Sequence, residues 1–319
     1  WKGVVFNNMM FDAVAYSSVP AFATGMEEKN AIVLMDMLPL EVYSQMSFYG
    51  FYSRVQRVRN GVKVNKRSVV PVVVALEIEE DVRKECRRMG ILTYQLTDLY
   101  GKNINDIISK ISFIQKNKRS FDSEANIESI VDLLKVIDDS GQSDNLENLR
   151  GILFEYFMHS VLYKWLGGVI EGELITGKKI PKSNGSKEIY EFDIVAPLKH
   201  EYLVIELKGY ANSKYFIWGE KDEEGKFEKG TLGWFFRETF PVSKRFYENN
   251  PQQKKVKACF ITTAHFDKGA QAKLDSIQKG NLKSEYINVA YDGAQLKEKL
   301  EELNLSREVQ VLEQFYFNR

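Results

Sequence analysis

The chain changes its hydrophobic period several times, and each change predicts an element. Apolar residues on both faces or at alternate positions predict strands at Phe11–Tyr16, Ala31–Met37, Val69–Ile78 and Ile91–Leu96. The third run, "VVPVVVALEI", is β-branched and apolar throughout, as in a strand buried on both faces of a parallel sheet. Before the last strand, "EEDVRKECRRMG" (Glu79–Gly90) has helical spacing with Gly90 as its stop. Upstream, "RVQRVRNGVKVNKR" (Arg54–Arg67) sets Asn60-Gly61 among Val and basic residues, which predicts a two-residue β-hairpin.

The middle of the chain has helical spacing at Ile104–Gln115 and at Glu124–Asp139, with Ser123 in position to cap the second. Asp122–Glu147 is strongly acidic and holds the turn-like "SGQSDN", so it reads as a connector with solvated acids. A long helix over Arg150–Gly168 then closes on glycines. Strand patterns follow in "VIEGELITGKKI", "EIYEFDIVAP" and "YLVIELKGY". A helix over Thr231–Asn250, interrupted near Pro241, leads to a buried strand at Val256–Phe266. A helix at Lys268–Gly280, a strand at Glu285–Gly293 and a helix at Ala294–Leu303 complete the pattern.

This order predicts an α/β class with domains at 1–115 and 150–319, joined by an acidic helical connector at 116–149. The two ends run alike. Each has a strand with Asp (Asp12; Asp193), then a strand with an internal acid (Asp36; Glu206). A buried β-branched strand, a charged helix ending in Gly and another strand come next. That reads as a duplicated α/β unit, with chance recurrence of a common pattern as the alternative.

Composition narrows the partners. A chain of 319 residues that is 44% hydrophobic accommodates two domains with sizeable cores. The formal net charge is zero, so a nucleic-acid site has to be a local patch. Two cysteines, Cys86 and Cys259, suggest neither a disulfide framework nor a zinc site and fit a reducing cytoplasm. No apolar run approaches the roughly 20 residues of a membrane span. The chain opens on Trp1 rather than Met, which leaves room for residues upstream.

The chemistry sits in "YLVIELKGY", where Glu206 and Lys208 interrupt a core strand. Alternation puts them on one face with Tyr202 and Val204, while Leu203, Ile205 and Leu207 take the other. Asp193 lies between Phe192 and Ile194 in the preceding strand. Burying these charges unpartnered costs several kcal/mol each. A salt bridge from Lys208 to either acid is one compensation. The spacing offers another: 206 − 193 = 13 residues suits adjacent antiparallel strands with a short turn at "LKHE". That places two carboxylates side by side, where they repel unless a proton or cation comes between them. Oxygen ligands alone point to Mg²⁺ or Mn²⁺ rather than zinc. A third acid, Glu155, stands among Phe154, Phe157, Met158 and Leu162. It either reaches water, pairs with His159, or faces the same pocket.

An acid on a helix, then Asp, then Glu-X-Lys on the next strand resembles the PD-(D/E)XK nuclease superfamily, with its restriction-endonuclease-like fold. The matching residues are Glu155 in "GILFEYF", Asp193 in "EFDIV", and Glu206 and Lys208 in "IELKG". Phe192 stands where the motif's name has Pro, and the resemblance covers Arg150 to Asp292. It implies a mixed central sheet flanked by helices and metal-dependent phosphodiester hydrolysis. Asp193, Glu206 and the backbone carbonyl of Leu207 would hold Mg²⁺ or Mn²⁺, and Glu155 would complete or support that set. Lys208 would orient or activate the attacking water and stabilise the transition state. The three histidines, His159, His200 and His265, have no metal-ligand spacing. In the N-terminal unit Asp12 and Asp36 match two of these positions, but Leu38 stands where the motif needs Lys. That unit is expected to be an inactive, degenerate copy.

Arg54, Arg57, Arg59, Lys63, Lys66 and Arg67 have no acid among them, so the expected hairpin is a candidate phosphate-contacting surface or an ordinary charged hairpin. Lys214 and Trp218, just after the Glu-X-Lys strand, are candidates for touching nucleic acid, with core burial as the alternative for the aromatic ring. The expectation is a cytoplasmic Mg²⁺-dependent endonuclease acting on DNA, in restriction or host defence by family analogy. A homodimer is expected if both strands of a duplex are cut. A non-catalytic nucleic-acid-binding scaffold of the same fold, and a nuclease acting on RNA, stay open.

Overall fold

The computed structural model describes residues 3–17, 30–62, 67–101, 103–116, 124–139, 147–183, 185–210, 215–248 and 254–317. The chain forms two compact units, Trp1–Ser112 with Val136–Asn145, and Phe113–Lys135 with Leu146–Arg319. The stretch expected as a connector is thus shared between them.

In the first unit, β1 (Val4–Phe6) and β2 (Met9–Phe11) form an antiparallel hairpin. Asn7 and Asn8 turn it at positive φ (49° and 61°), a conformation Asn tolerates better than most residues. Then come β3 (Ala13–Ser17), β4 (Ala31–Tyr43), α1 (Gln45–Val62), β5 (Val69–Ile78), α2 (Glu80–Arg88) and β6 (Leu92–Gln95). The sheet order is β3-β4-β5-β6, with β3 antiparallel to β4 and the other pairs parallel. Helices α3 (Leu96–Tyr100), α4 (Ile104–Lys116) and α5 (Glu124–Asp139) follow, and the division between units passes through α4 and α5.

Helix α1 overturns the predicted hairpin over its described part, Arg54–Val62. Phe48, Phe51, Val55 and Val58 are spaced three and four apart, and all four are fully buried in the core of this unit. That helical stripe outweighs the local turn preference of Asn60-Gly61, which ends up in the last turn of the helix.

The second unit opens with α6 (Glu147–Leu166), β7 (Ile175–Pro181), β8 (Ile189–Pro197), β9 (Glu201–Lys208) and the short β10 (Tyr215–Phe216). A π-helical segment, Trp234–Thr239, runs directly into α7 (Phe240–Glu248). The helix expected to break at Pro241 therefore continues through it. The wider π turn precedes a residue with no N–H to donate, so the proline costs less than in a regular helix. Strand β11 (Lys255–Thr262), β12 (His265–Phe266), α8 (Lys268–Gln278), β13 (Ala290–Tyr291), α9 (Gly293–Glu302), α10 (Ser306–Leu312) and a π turn at Glu313–Phe317 complete it. The strand expected over Glu285–Gly293 shrinks to two residues. Its neighbours give their N–H groups to side chains instead of a ladder: Tyr286 to Ser284, Asn288 to Tyr291 and Val289 to Gln278.

The main sheet has the order β13-β11-β9-β8-β7. Strands β7, β8 and β9 are antiparallel neighbours, while β9, β11 and β13 are parallel. Strand β9 is central, and only Glu206 and Lys208 along it escape full burial. On one face Val204, Ala258 and Phe260 pack with Phe235, Phe236 and Phe240 of the π segment and α7. Helix α6 lies against β9 and α9 against β11.

The β3-β4-β5-β6 sheet of the first unit and the β8-β9-β11-β13 strands of the second have the same order and the same directions. In each, one helical segment links the second strand to the third and another links the third to the fourth. No helix among the described residues is long and apolar enough to cross a membrane.

Candidate active site

The ladder between β8 and β9 runs from Pro197↔Tyr202 to Ile194↔Ile205. One step further, the same register sets Asp193 opposite Glu206. There the strands part: the N–H of Leu207 donates to the Asp193 carboxylate (Oδ2, 2.8 Å). The side chain thus supplies the acceptor that the buried backbone donor needs.

Three oxygens close on one cation at this fork. The Lys208 ammonium lies 2.7 Å from Glu206 Oε1 and 3.5 Å from Asp193 Oδ2, and donates to the Leu207 carbonyl at 3.0 Å. The three side chains are only 16–22% exposed, so screening by water is weak. The cluster contains the predicted salt bridge, with Lys208 reaching both acids. Asp193, Glu206 and the Leu207 carbonyl surround a single cation position, here taken by Lys208. A hard oxygen set of that kind suits Mg²⁺ or Mn²⁺, provided Lys208 swings aside. Among the described residues no three His, Cys, Asp or Glu side chains gather around one metal position, so Glu155 stands beside the carboxylate pair rather than within it.

Glu155 nevertheless feels the pair. Burial pushes its carboxyl up to about 7, and the Asp193 and Glu206 charges add to the rise against Lys208. Glu206 is also raised to about 7, by burial first and by Asp193 second, with Lys208 opposing. Burial raises Asp193 too, against Lys208 and the Leu207 N–H. Burial works against the Lys208 charge, but the Glu206 and Asp193 carboxylates outweigh it and hold the ammonium protonated.

Residues with no obvious motif fix this geometry. Thr262 Oγ1 donates to the Lys208 carbonyl (2.8 Å), and the Thr263 N–H donates to the same oxygen (3.2 Å). Thr263 Oγ1 accepts from the Tyr210 N–H (2.8 Å), so the end of β9 is tied to the end of β11. Gly209 brings the backbone against Phe154, the neighbour of Glu155 on α6. The sequence signals were two threonines closing an apolar strand and a glycine directly after Glu-X-Lys.

Five of the predicted nucleic-acid contacts lie among the described residues: Arg54, Arg57, Arg59, Arg67 and Trp218. Arg54 is committed to Asp36 (2.8 Å) and to the Met10 carbonyl (3.0 Å). Arg57 and Arg59 lie two apart on α1, so they do not share a face. The Arg67 guanidinium sits 5.2 Å from the centre of the Tyr16 ring. Lys63, Lys66 and Lys214 fall outside the described residues. Trp218 is 7% exposed and stacks on Phe236 (6.0 Å, 3° between planes), so it belongs to the core and not to a binding surface. An indole this large contributes most when its area leaves water, and the aromatic cluster around α7 provides the space.

No protein-family model, no curated protein and no solved structure matches this chain.

Proposed function

We propose that the second unit hydrolyses phosphodiester bonds with Mg²⁺ or Mn²⁺, as a restriction-endonuclease-like enzyme of the PD-(D/E)XK kind acting on DNA. The observation that supports this is the convergence of Asp193, Glu206 and the Leu207 carbonyl on one cation position at the fork of β8 and β9. The fold-level part of the reading rests on the order of acid-bearing helix, Asp strand and Glu-X-Lys strand, and a role in restriction or host defence is analogy alone. The first unit is read as a degenerate copy.

A divalent ion held by Asp193, Glu206 and the Leu207 carbonyl would polarise the phosphate and lower the pKa of an adjacent water. Lys208, withdrawn from those oxygens but still tethered to β9, places its ammonium where negative charge grows on the phosphorus oxygens. Glu155, whose carboxyl is influenced by the Asp193 and Glu206 charges, would support the ligand set from α6.

The test incubates supercoiled plasmid and single-stranded RNA with the full chain, with Mg²⁺ or with EDTA. Asp193→Asn and Lys208→Met run alongside. Mg²⁺-dependent DNA cleavage is expected, slowed about 100-fold or more in Lys208→Met. In EDTA the same variant loses about 3 kcal/mol of stability, because two buried carboxylates lose their cation. A wild type that cuts neither polymer overturns the enzyme reading, and variants as active as wild type overturn the site. Cleavage of RNA alone transfers the reading to a ribonuclease.

A further inference from the structure

The first unit repeats the fork of the second, but a different residue closes it. Its antiparallel ladder reaches Ala13↔Met35, and the same register sets Asp12 opposite Asp36. The N–H of Met37 donates to Asp12 Oδ2 at 2.7 Å, as that of Leu207 does to Asp193. Leu38 then stands where β9 carries Lys208. The cation comes instead from helix α1. Arg54 Nη2 lies 2.8 Å from Asp36 Oδ1, and its Nη1 donates to the Met10 carbonyl at 3.0 Å. The other Asp36 oxygen accepts from the Tyr43 hydroxyl at 2.9 Å.

We infer that the first unit is a metal-excluding copy, because the Arg54 guanidinium holds the Asp36 carboxylate that a divalent ion would need beside Asp12. The chemistry of the two cations supports this. A guanidinium stays charged at any working pH and is held by a planar fork of donors. That of Arg54 also lies 5.6 Å and 5.7 Å from the centres of the Phe11 and Phe51 rings. An incoming ion has to break the ion pair, the bond to Met10 and both ring contacts at once. Among the described residues, the Lys208 ammonium contacts the oxygens that an ion would take over: Glu206 Oε1, Asp193 Oδ2 and the Leu207 carbonyl.

The inference concerns the first unit and stands whether or not the second is a nuclease, so the test silences the second. The full chain carrying Asp193→Asn and Glu206→Gln is titrated with Mn²⁺, and free Mn²⁺ is read by electron paramagnetic resonance. With Arg54 in place, no Mn²⁺ that depends on Asp12 is bound. Adding Arg54→Met, which keeps the stem against Phe11 and Phe51, opens a site for one Mn²⁺ per chain. Asp12→Asn closes it again. Arg54→Gln serves as the second variant, with folding followed by circular dichroism. Binding that Asp12→Asn abolishes while Arg54 is present overturns the inference, and so does a folded Arg54 variant that binds no Mn²⁺. The arm with Arg54 intact needs no change in the first unit beyond Asp12→Asn, so it can overturn the inference even if both Arg54 variants unfold.

Discussion

Gly209→Ala tests how the end of β9 and helix α6 share space. A Cβ at position 209 stands 2.6 Å from Phe154 Cγ and 3.1 Å from its Cδ1, well inside the roughly 3.5–4.0 Å of an unstrained carbon contact. Phe154 is fully buried and cannot turn away, because its ring already packs on Tyr316 (5.4 Å between centroids) and Phe157 (6.5 Å). Overpacking of this kind costs about 1–3 kcal/mol. Relief requires α6 to move out by about 1 Å, and Glu155 moves with it; a shift that size in a catalytic group costs about 100-fold in rate. Gly151→Ala is the matched control. It lies on the same helix, has no atom within 4 Å of an added Cβ, and should gain about 0.5–1 kcal/mol from helix propensity alone. Guanidinium unfolding of both variants, followed by plasmid cleavage at equal folded fraction, reads the two effects. A Gly209→Ala chain within 0.5 kcal/mol of wild type refutes the packing argument. A destabilised chain with unchanged cleavage refutes the link from α6 to the chemistry.

Two further outcomes follow from the charges. Glu155 and Glu206 are both raised to about 7, so the metal-free folded chain binds more protons than the unfolded chain between about pH 4.5 and 7. Stability in EDTA is therefore greatest at the acid end of that window and falls as pH rises through it, which thermal unfolding across pH 5 to 8 reads directly; a flat or rising profile contradicts the burial of these carboxyls. If each chain has one competent centre, supercoiled plasmid passes through an open circle, and conversion to linear product speeds up with protein concentration. Linear product appearing together with the first nicks, at a concentration where light scattering shows a monomer, contradicts a single centre.

The pattern of apolar positions located most of the elements, and it did best where local and tertiary preferences agree. The Val69–Ile78 run and the Glu124–Asp139 helix fall where the spacing puts them. The carboxylate–lysine cluster was legible for a simple reason. Period-two alternation puts Glu206 and Lys208 on one face, and a short turn returns the chain to Asp193 in register. Where an exposed local signal competed with a buried one, the buried one prevailed. Asn60-Gly61 suggested a turn, yet Val55 and Val58 were already spaced for a helix whose face is buried. Trp218 suggested base stacking, yet an indole with Phe227 and Phe236 to pack on is buried. The absence of Lys at position 38 was plain, but its replacement was not. Arg54 is 18 residues from Asp36, and only the packing of α1 on the sheet brings them together.

That replacement separates two roles that the motif merges. At each fork a backbone N–H, of Met37 or of Leu207, is left without a strand partner, and an Asp side chain accepts from it. Leaving such a buried donor unmet costs about 1–3 kcal/mol, which is reason enough for an Asp at the fork in either unit. The second acid, Asp36 or Glu206, then lies beside the first and needs a neutralising charge. Up to that point the two units have the same structural requirement and meet it with the same residue types. They differ in where the cation comes from. In the second unit it is a lysine two residues along the same strand; in the first it is an arginine from a helix, whose guanidinium also lies beside the Phe11 and Phe51 rings. Paired acids at a strand fork are therefore evidence for this architecture, and the source of the cation beside them is what distinguishes the two units.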